Sequence, residues 1–300
     1  MHQPTGSILR QAGRQVQQWA RYALLALPLA AGLASEAQAG FTVFDTGGID
    51  AAAITPTRDA FRTAVGGGSV AGANGDFVGL RREINWDGVP DLRSDPNALP
   101  ANFFNVNSPR GAVFSSPTPG ATFLVSSKAA TSTPILFGFP NDLQTFSNER
   151  LFATVGSRFT DIHFFVPGPS STTVATTSAF AAIFVDAETT DTTMEFFDVN
   201  NALIFTHSVT AVSFHPDGSN RGGLSFLGGV ANAGERIARV RITTPDNFLI
   251  SSGVRANETT DFVVMDDFLY ATPAAVPEPE VWAMVLLGLG VVGWRSRRRV

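Results

Sequence analysis

Arg236-Ile237-Ala238-Arg239-Val240-Arg241-Ile242-Thr243 is the stretch that decides the fold class. Ala238, Val240 and Ile242 fall on one face of an extended chain, and Arg239 and Arg241 fall on the other. This period of two is the signature of a half-exposed strand. A second stretch, Phe262-Val263-Val264-Met265-Asp266-Asp267-Phe268-Leu269-Tyr270, is apolar on both faces and is expected near the centre of a sheet. Similar Phe-, Val-, Ile- and Thr-rich runs lie at Thr122–Ser126, Pro134–Phe139, Leu151–Val155, Asp161–Val166, Phe180–Val185, Thr193–Val199, Leu203–Val209 and Gly223–Val230. Turn clusters separate them: Asp198-Val199-Asn200-Asn201, Pro216-Asp217-Gly218 and Pro245-Asp246-Asn247.

Short strands at this spacing, with no repeat of fixed period, predict an all-β fold, an antiparallel β-sandwich of jelly-roll type. Helix is scarce in the body. The best candidate is Pro56–Val65, with Thr55 as cap, Pro56 in the first turn and Gly66 as stop. Residues 66–120 are dense in Gly, Pro, Asn and Ser and read as loop-rich.

The chain of 300 residues has no cysteine, which excludes disulfides, thiolate metal sites and a cysteine nucleophile. With 44% hydrophobic and 16% charged residues it is not a disordered composition, and its net charge of -5 argues against nucleic acid as a partner. The charge is unevenly placed. Arg10, Arg14 and Arg21 precede an apolar run, Tyr22 to Leu33, and Ala37-Gln38-Ala39 then precedes Gly40. This is the layout of a secretory signal peptide, residues 1–39, with a helical apolar core and cleavage after Ala39. At the other end, Pro277-Glu278-Pro279 leads into an apolar run from Val281 to Trp294 that is followed by Arg295, Arg297, Arg298 and Arg299. As a helix this run is about 21 Å long, short against a hydrocarbon core of about 30 Å. The basic cluster belongs on the cytoplasmic side. Setting aside the seven arginines and three glutamates of the two ends leaves 14 basic and 23 acidic residues in 40–275, a body of net charge -9.

The C-terminal arrangement resembles the PEP-CTERM sorting signal of Gram-negative bacteria, over residues 276–300. The resemblance implies recognition by an exosortase, a membrane protease that processes the tail at the inner membrane. It also implies delivery to the cell surface or extracellular matrix of an exopolysaccharide-producing, biofilm-forming host. The body resembles a recurrent type of PEP-CTERM protein in Arg81–Asp91, Gly223–Gly228, Glu235–Arg241 and Met265-Asp266-Asp267-Phe268. That resemblance implies a single β domain and carries no activity with it.

Three sites are suggested in the body. Trp86 in a polar stretch, with Arg81, Arg82, Asn85 and Asp87, has the composition of a sugar-stacking platform, so a carbohydrate-binding module is the alternative to a structural or adhesive role. No motif fixes a cofactor. The one candidate is a structural Ca²⁺ held by Asp186, Glu188, Asp191, Asp198, Asp266 and Asp267, because successive strand residues face opposite ways and at least one of the last two aspartates must face a core. Catalysis is not expected: His163 and His207 lie in strand patterns, His215 is the third histidine of the body, and no nucleophile elbow, H-E-x-x-H or phosphate loop occurs. A secreted glycan hydrolase, built on a pair of the many acids, is the minor reading.

Overall fold

In a computed structural model that describes residues 40–128, 134–212 and 222–276, the alternating and apolar runs become strands of two facing sheets. In chain order the strands are β1 (Phe41–Gly48), β2 (Asp76–Phe77), β3 (Arg81–Ile84), β4 (Ala112–Ser115), β5 (Thr122–Val125) and β6 (Phe152–Val155). They continue as β7 (Phe159–Phe164), β8 (Ala175–Thr176), β9 (Ala179–Val185), β10 (Thr193–Phe197), β11 (Leu203–Ser208) and β12 (Leu224–Ala231). The last are β13 (Arg239–Thr243), β14 (Leu249–Ser251), β15 (Val254–Arg255), β16 (Val264–Ala271) and β17 (Ala274–Ala275). Two helices join them, α1 (Ala51–Val65) and α2 (Phe103–Val106).

The larger sheet has the order β1-β12-β9-β16-β6-β14-β15, with β3 also on β16, β2 on β3 and β5 on β6. The smaller has the order β11-β10-β13-β7-β4, and β17 pairs with β8 in a separate ribbon. Pairing is antiparallel except between β6 and β14. Every residue of β9 and β16 is buried, because the larger sheet is covered on both sides. Phe180, Ala182 and Phe184 face the smaller sheet, where Phe114, Ile162, Phe196, Val240 and Ile242 join them in one aromatic core. Ala181, Ile183 and Val185 face α1 and the 136–143 segment. On β13 the predicted alternation is present. Val240 and Ile242 are buried, while Arg239 and Arg241 reach out to Asp161 of β7 at 3.1 and 2.7 Å.

Gly228 and Gly229 of β12 let aromatic rings approach the sheet from opposite sides. A Cβ on Gly228 would lie 2.9 Å from the Phe61 ring of α1, and one on Gly229 would lie 2.8 Å from the Phe196 ring of β10. Side chains here would displace both rings, so the two glycines set the spacing of helix, sheet and sheet.

Two expectations need correction. Helix α1 begins earlier than Pro56. Asp50, rather than Thr55, accepts the N–H of Ala53 at 2.9 Å as the cap, while the Thr55 hydroxyl donates back to the Ala51 carbonyl. Three alanines of high helix propensity extend the first turn, and Pro56 sits inside the helix instead. Gly66 ends it as expected, at φ 92°. The run Pro134–Phe139 is not a strand. Leu136 and Phe137 take φ of 46° and 59° in a 3-10 turn that drives both side chains into the outer core, so burial rather than strand pairing explains its apolarity. The 66–120 stretch contributes β2, β3 and β4 as well as loops. The signal helix, the apolar tail helix and Pro216-Asp217-Gly218 lie outside the described residues.

Candidate functional site

The segment singled out around Trp86 is drawn into the larger sheet. Strand β3 pairs with β16, placing Ile84 opposite Phe268, and the chain then turns inward with Trp86 at φ 64°. Trp86 is 1% exposed. It stacks on Phe152 at 4.3 Å and 8°, meets Phe104 and Phe268 edge-on, and donates its indole N–H to the Asp266 carbonyl at 2.7 Å. Its ring faces are therefore taken, and the sugar platform expected there is a core residue instead. The cavity beside it, between Asn85, Val89 and Phe103, holds about 50 Å³, room for a water rather than a sugar ring.

The neighbours are equally engaged. Arg81 is fully buried over the Phe77 ring. It binds Glu83 at 2.6 Å and the carbonyls of Gly66 and Gly68, which ties β3 to the end of α1. Arg82 pairs with Asp76 at 3.4 Å. Asn85 is exposed and reaches Asp87 at 3.4 Å.

The six acids proposed for calcium divide among three places. Asp266 and Asp267 do not face opposite ways as two strand residues should. The register between β16 and β9 shifts between Met265 and Phe268, and this bulge turns both carboxyls into one buried cluster. Asp266 accepts the N–H groups of Phe146 and Ser147 at 2.6 and 3.3 Å and the Ser147 hydroxyl at 2.9 Å. Burial, and then the charge of Asp267, hold it well above the usual carboxylate range. Burial pushes Asp267 up to about 6, and burial with the charge of Asp267 pushes Asp87 up to about 7. The donors go to Asp266, while Asp267 and Asp87 each keep one buried oxygen without a hydrogen-bond partner. Asp198 lies apart, in the β10–β11 turn, where it accepts the N–H groups of Asn200 and Ala202, both at 2.8 Å.

Asp186, Glu188 and Asp191 do come together, around a cleft of about 500 Å³ at the end of β9. Antiparallel pairing of β9 with β16, Val185 opposite Val264, brings the chain after Asp186 beside the chain before Val264. The cleft is completed by Asp142, Glu258 and Asp261, with Asn247 and Arg255. Arg255 pairs with Asp142 at 3.2 Å. Asp186 is buried at φ 66°, in space left by the missing side chain of Gly222. Burial, then the charges of Glu188, Asp261 and Asp142, push Asp186 up to about 9. Asp261 uses one oxygen to accept the N–H groups of Glu188 and Thr189, at 2.8 and 3.1 Å. Its other oxygen is buried without a partner, and burial pushes the group up to about 6. Among the described residues no three acidic or histidine side chains already converge as a metal site. Sequence reading missed Asp142, Glu258 and Asp261. Asp261 could have been found from the pairing of the two apolar strands buried along their whole length, β9 and β16, near whose ends it and Asp186 lie.

His163 lies against Ser115, Nε2 to Oγ at 2.9 Å, and burial lowers its pKa. His207 of β11 meets the Ser208 carbonyl at 2.7 Å.

Gly40, the first of the described residues, donates its N–H to Glu235 at 2.6 Å. Ala37 and Ala39 lie outside the described residues. At the far end Ala274 and Ala275 pair with Thr176 and Ala175, and Val276 N–H reaches the Val174 carbonyl at 3.3 Å. The sorting residues Pro277, Glu278 and Pro279 follow at once, and with Arg295, Arg297, Arg298 and Arg299 they too lie outside the described residues. Among the described residues no helix is long and apolar enough to cross a membrane.

Comparison with known families places a PEP-CTERM protein-sorting motif on residues 275–299. This motif defines a class: exported proteins recognised and processed by an exosortase at the inner membrane and delivered to the cell surface or outside the cell. The chain carries that motif from the end of the last paired strand of a mostly β body, starting at Ala275 of β17. No curated protein and no solved structure matches the chain.

Proposed function

We propose that the protein is a non-enzymatic component of the cell surface or exopolysaccharide matrix, a jelly-roll-type sandwich with a structural or adhesive role. The observation that carries this reading is the sorting motif at 275–299, which begins on Ala275, the last residue of the last paired strand. An acidic sandwich with a doubly covered central sheet suits a domain that must persist outside the cell without disulfides. In this reading any bound ion serves stability and not turnover. The carbohydrate-binding alternative has lost its aromatic platform, since Trp86 is buried.

Deleting residues 277–300 tests the reading. The truncated body is expected to be lost from the surface and matrix fraction and to accumulate in the periplasm or medium. If the truncated and full chains fractionate identically, sorting through the tail is rejected.

A further inference from the structure

Five large apolar side chains stand in solvent around the point where the tail leaves the body. Val70, Val78, Leu80, Val106 and Val174 are between 39% and 81% exposed. Scattered singly, such residues are ordinary on a protein surface. These five are joined by a closed circuit of hydrogen bonds. Thr272 N–H reaches the Leu80 carbonyl at 2.9 Å, and four residues further on Val276 N–H reaches the Val174 carbonyl at 3.3 Å. Beside Val174, the Asn105 side chain donates to the Ser171 carbonyl at 2.8 Å and Ser170 N–H donates to the Asn105 carbonyl at 2.9 Å, next to Val106. The Ser108 hydroxyl then donates to Asn74 Oδ1 at 3.2 Å. Gly72 N–H donates to the Asp76 carbonyl at 2.6 Å, which returns the circuit to the turn of Val78 and Leu80. Ala274 and Ala275 of β17, also exposed, lie on the same circuit.

Charge marks this end as well. The segments of the circuit, 66–80, 103–109, 170–176 and 272–276, contain one ionisable side chain, Asp76, in a body of net charge -9. Asp76 is paired with Arg82 at 3.4 Å. The charged side chains that bond these segments from the border are cations: Arg81 on the carbonyls of Gly66 and Gly68, Arg110 on Ser108 at 2.6 Å, and Arg236 on the Thr176 carbonyl at 2.7 Å. The neighbouring acid Glu235 accepts from Gly40 and Ala233, outside the circuit. An anionic membrane surface repels an acidic body, so the end suited to approach one is apolar with a basic border.

We propose that this apolar ring docks on the phospholipid surface of the inner membrane while the tail is uncut. The proposal rests on the reading of residues 277–300 as a sorting tail that enters that membrane. The occupant follows from chain length. Five residues lead from Val276 to Val281, where the apolar run begins, a reach of at most about 18 Å. A tail in the membrane therefore holds this end of the body beside the lipid. The opposite end of β16 lies about 24 Å further along the strand. Tethering supplies the local concentration, so shallow insertion of a few valines and a leucine suffices for contact. Docking in this way would orient the body and hold Pro277-Glu278-Pro279 at the interface, where a membrane protease can reach it.

The test uses the full chain in vesicles of phosphatidylethanolamine and phosphatidylglycerol, with no other protein present. The chain has no cysteine, so one introduced thiol labels cleanly. Val78→Cys, Val174→Cys and Val254→Cys variants each carry a polarity-sensitive fluorophore, and a spin-labelled lipid serves as quencher. Val254 is the control, 48% exposed on β15 and separated from β16 by β6 and β14. Probes at 78 and 174 are expected to shift to shorter wavelength and to lose emission to the quencher, while the probe at 254 does neither. Should either label unfold the chain, Val106→Cys takes its place. Flotation of the vesicles is read on the same samples. A chain that floats while 78 and 174 behave like 254, dry or wet, overturns the docking and leaves the tail reading intact. A chain that does not float overturns both. A shift that grows with protein per vesicle and escapes the lipid quencher assigns the ring to a second copy of the chain, and that also overturns the proposal.

Discussion

Two groups of aspartates flank the central strands β9 and β16, and they have opposite surroundings. The Asp266–Asp267 pair sits in a bulge and is sealed by Trp86, Phe146 and Ser147, with three hydrogen bonds to Asp266 from the 146–147 segment. Asp186 and Asp261 sit where the same two strands run out, beside a cleft with four further carboxylates. In both places burial raises the carboxyl pKa values, so burial alone does not separate them. An oxygen without a hydrogen-bond partner also occurs in both, on Asp267 and Asp87 in one and on Asp261 in the other, so what separates them is the open cleft beside the second. A closed cluster supplied with backbone N–H and hydroxyl groups is a structural device. The open one lines a cleft of about 500 Å³, where its rim acids stay in reach of water.

The closed cluster is the place where the largest stability effect is expected. Trp86 fills the space between the sheets and bonds the backbone of Asp266. Trp86→Ala should cost roughly 3–5 kcal/mol, the range for emptying a large aromatic from a core. It should also abolish the near-ultraviolet circular dichroism of the indole cluster. If instead the variant melts like the wild type but loses retention in a polysaccharide affinity gel, Trp86 is a binding residue and the closed cluster is not structural.

Acidity sharpens the contrast next. Asp267, 5% exposed, titrates near 6 when folded against an ordinary value of 3.8, chiefly through burial, and Asp87 near 7. Between the unfolded and folded values the native state holds more protons than the unfolded state. Its extra stability is thus complete below about pH 4 and is lost as pH rises through 6 to 7. For Asp267 the gap is worth on the order of 3 kcal/mol. Urea midpoints should therefore be higher near pH 5 than near pH 7.5. Asp267→Asn should remove part of that difference, and what remains belongs to Asp87, Asp266 and the cleft acids Asp186 and Asp261. A midpoint that rises with pH would contradict the sign for both clusters.

Most of the second half of the fold was legible, because period-two alternation and β-branched runs report directly on pleated surfaces. Thr193–Phe197, Leu203–Ser208 and Leu224–Ala231 form as strands within a residue or two of expectation. Strand β1 went unread because Phe41, Phe44 and Asp45 do not alternate cleanly, and its pairing with β12, from Phe41 opposite Ala231 to Gly48 opposite Leu224, joins residues far apart in sequence. Arg81–Ile84 went unread because its charges suggest solvent, whereas Arg81 is consumed by buried carbonyls at the end of α1. The cleft was half legible. Asp186, Glu188 and Asp191 are close in sequence, but Asp261 and Asp142 join them only through strand register and loop packing. The placement of Asp266 and Asp267 was illegible in principle, since a single-residue bulge reverses the facing of every residue beyond it.

The smallest effect concerns the acid that belongs to neither group. Asp198 turns the chain between β10 and β11, accepting from Asn200 and Ala202 while Asn201 takes φ 62°. Short polar side chains bind their own backbone in this way at turns. Asp198→Ala should cost about 1 kcal/mol, the value of an ordinary exposed hydrogen-bonded turn. It should leave the pH slope unchanged. That outcome makes it the baseline for the comparison, because Asp198 and the aspartates of the two groups are alike in sequence chemistry and differ only in what the fold offers them. A loss as large as that from Trp86→Ala would mean that the β10–β11 hairpin holds the smaller sheet together, and that proximity to the central strands is not what gives an aspartate its weight in this protein.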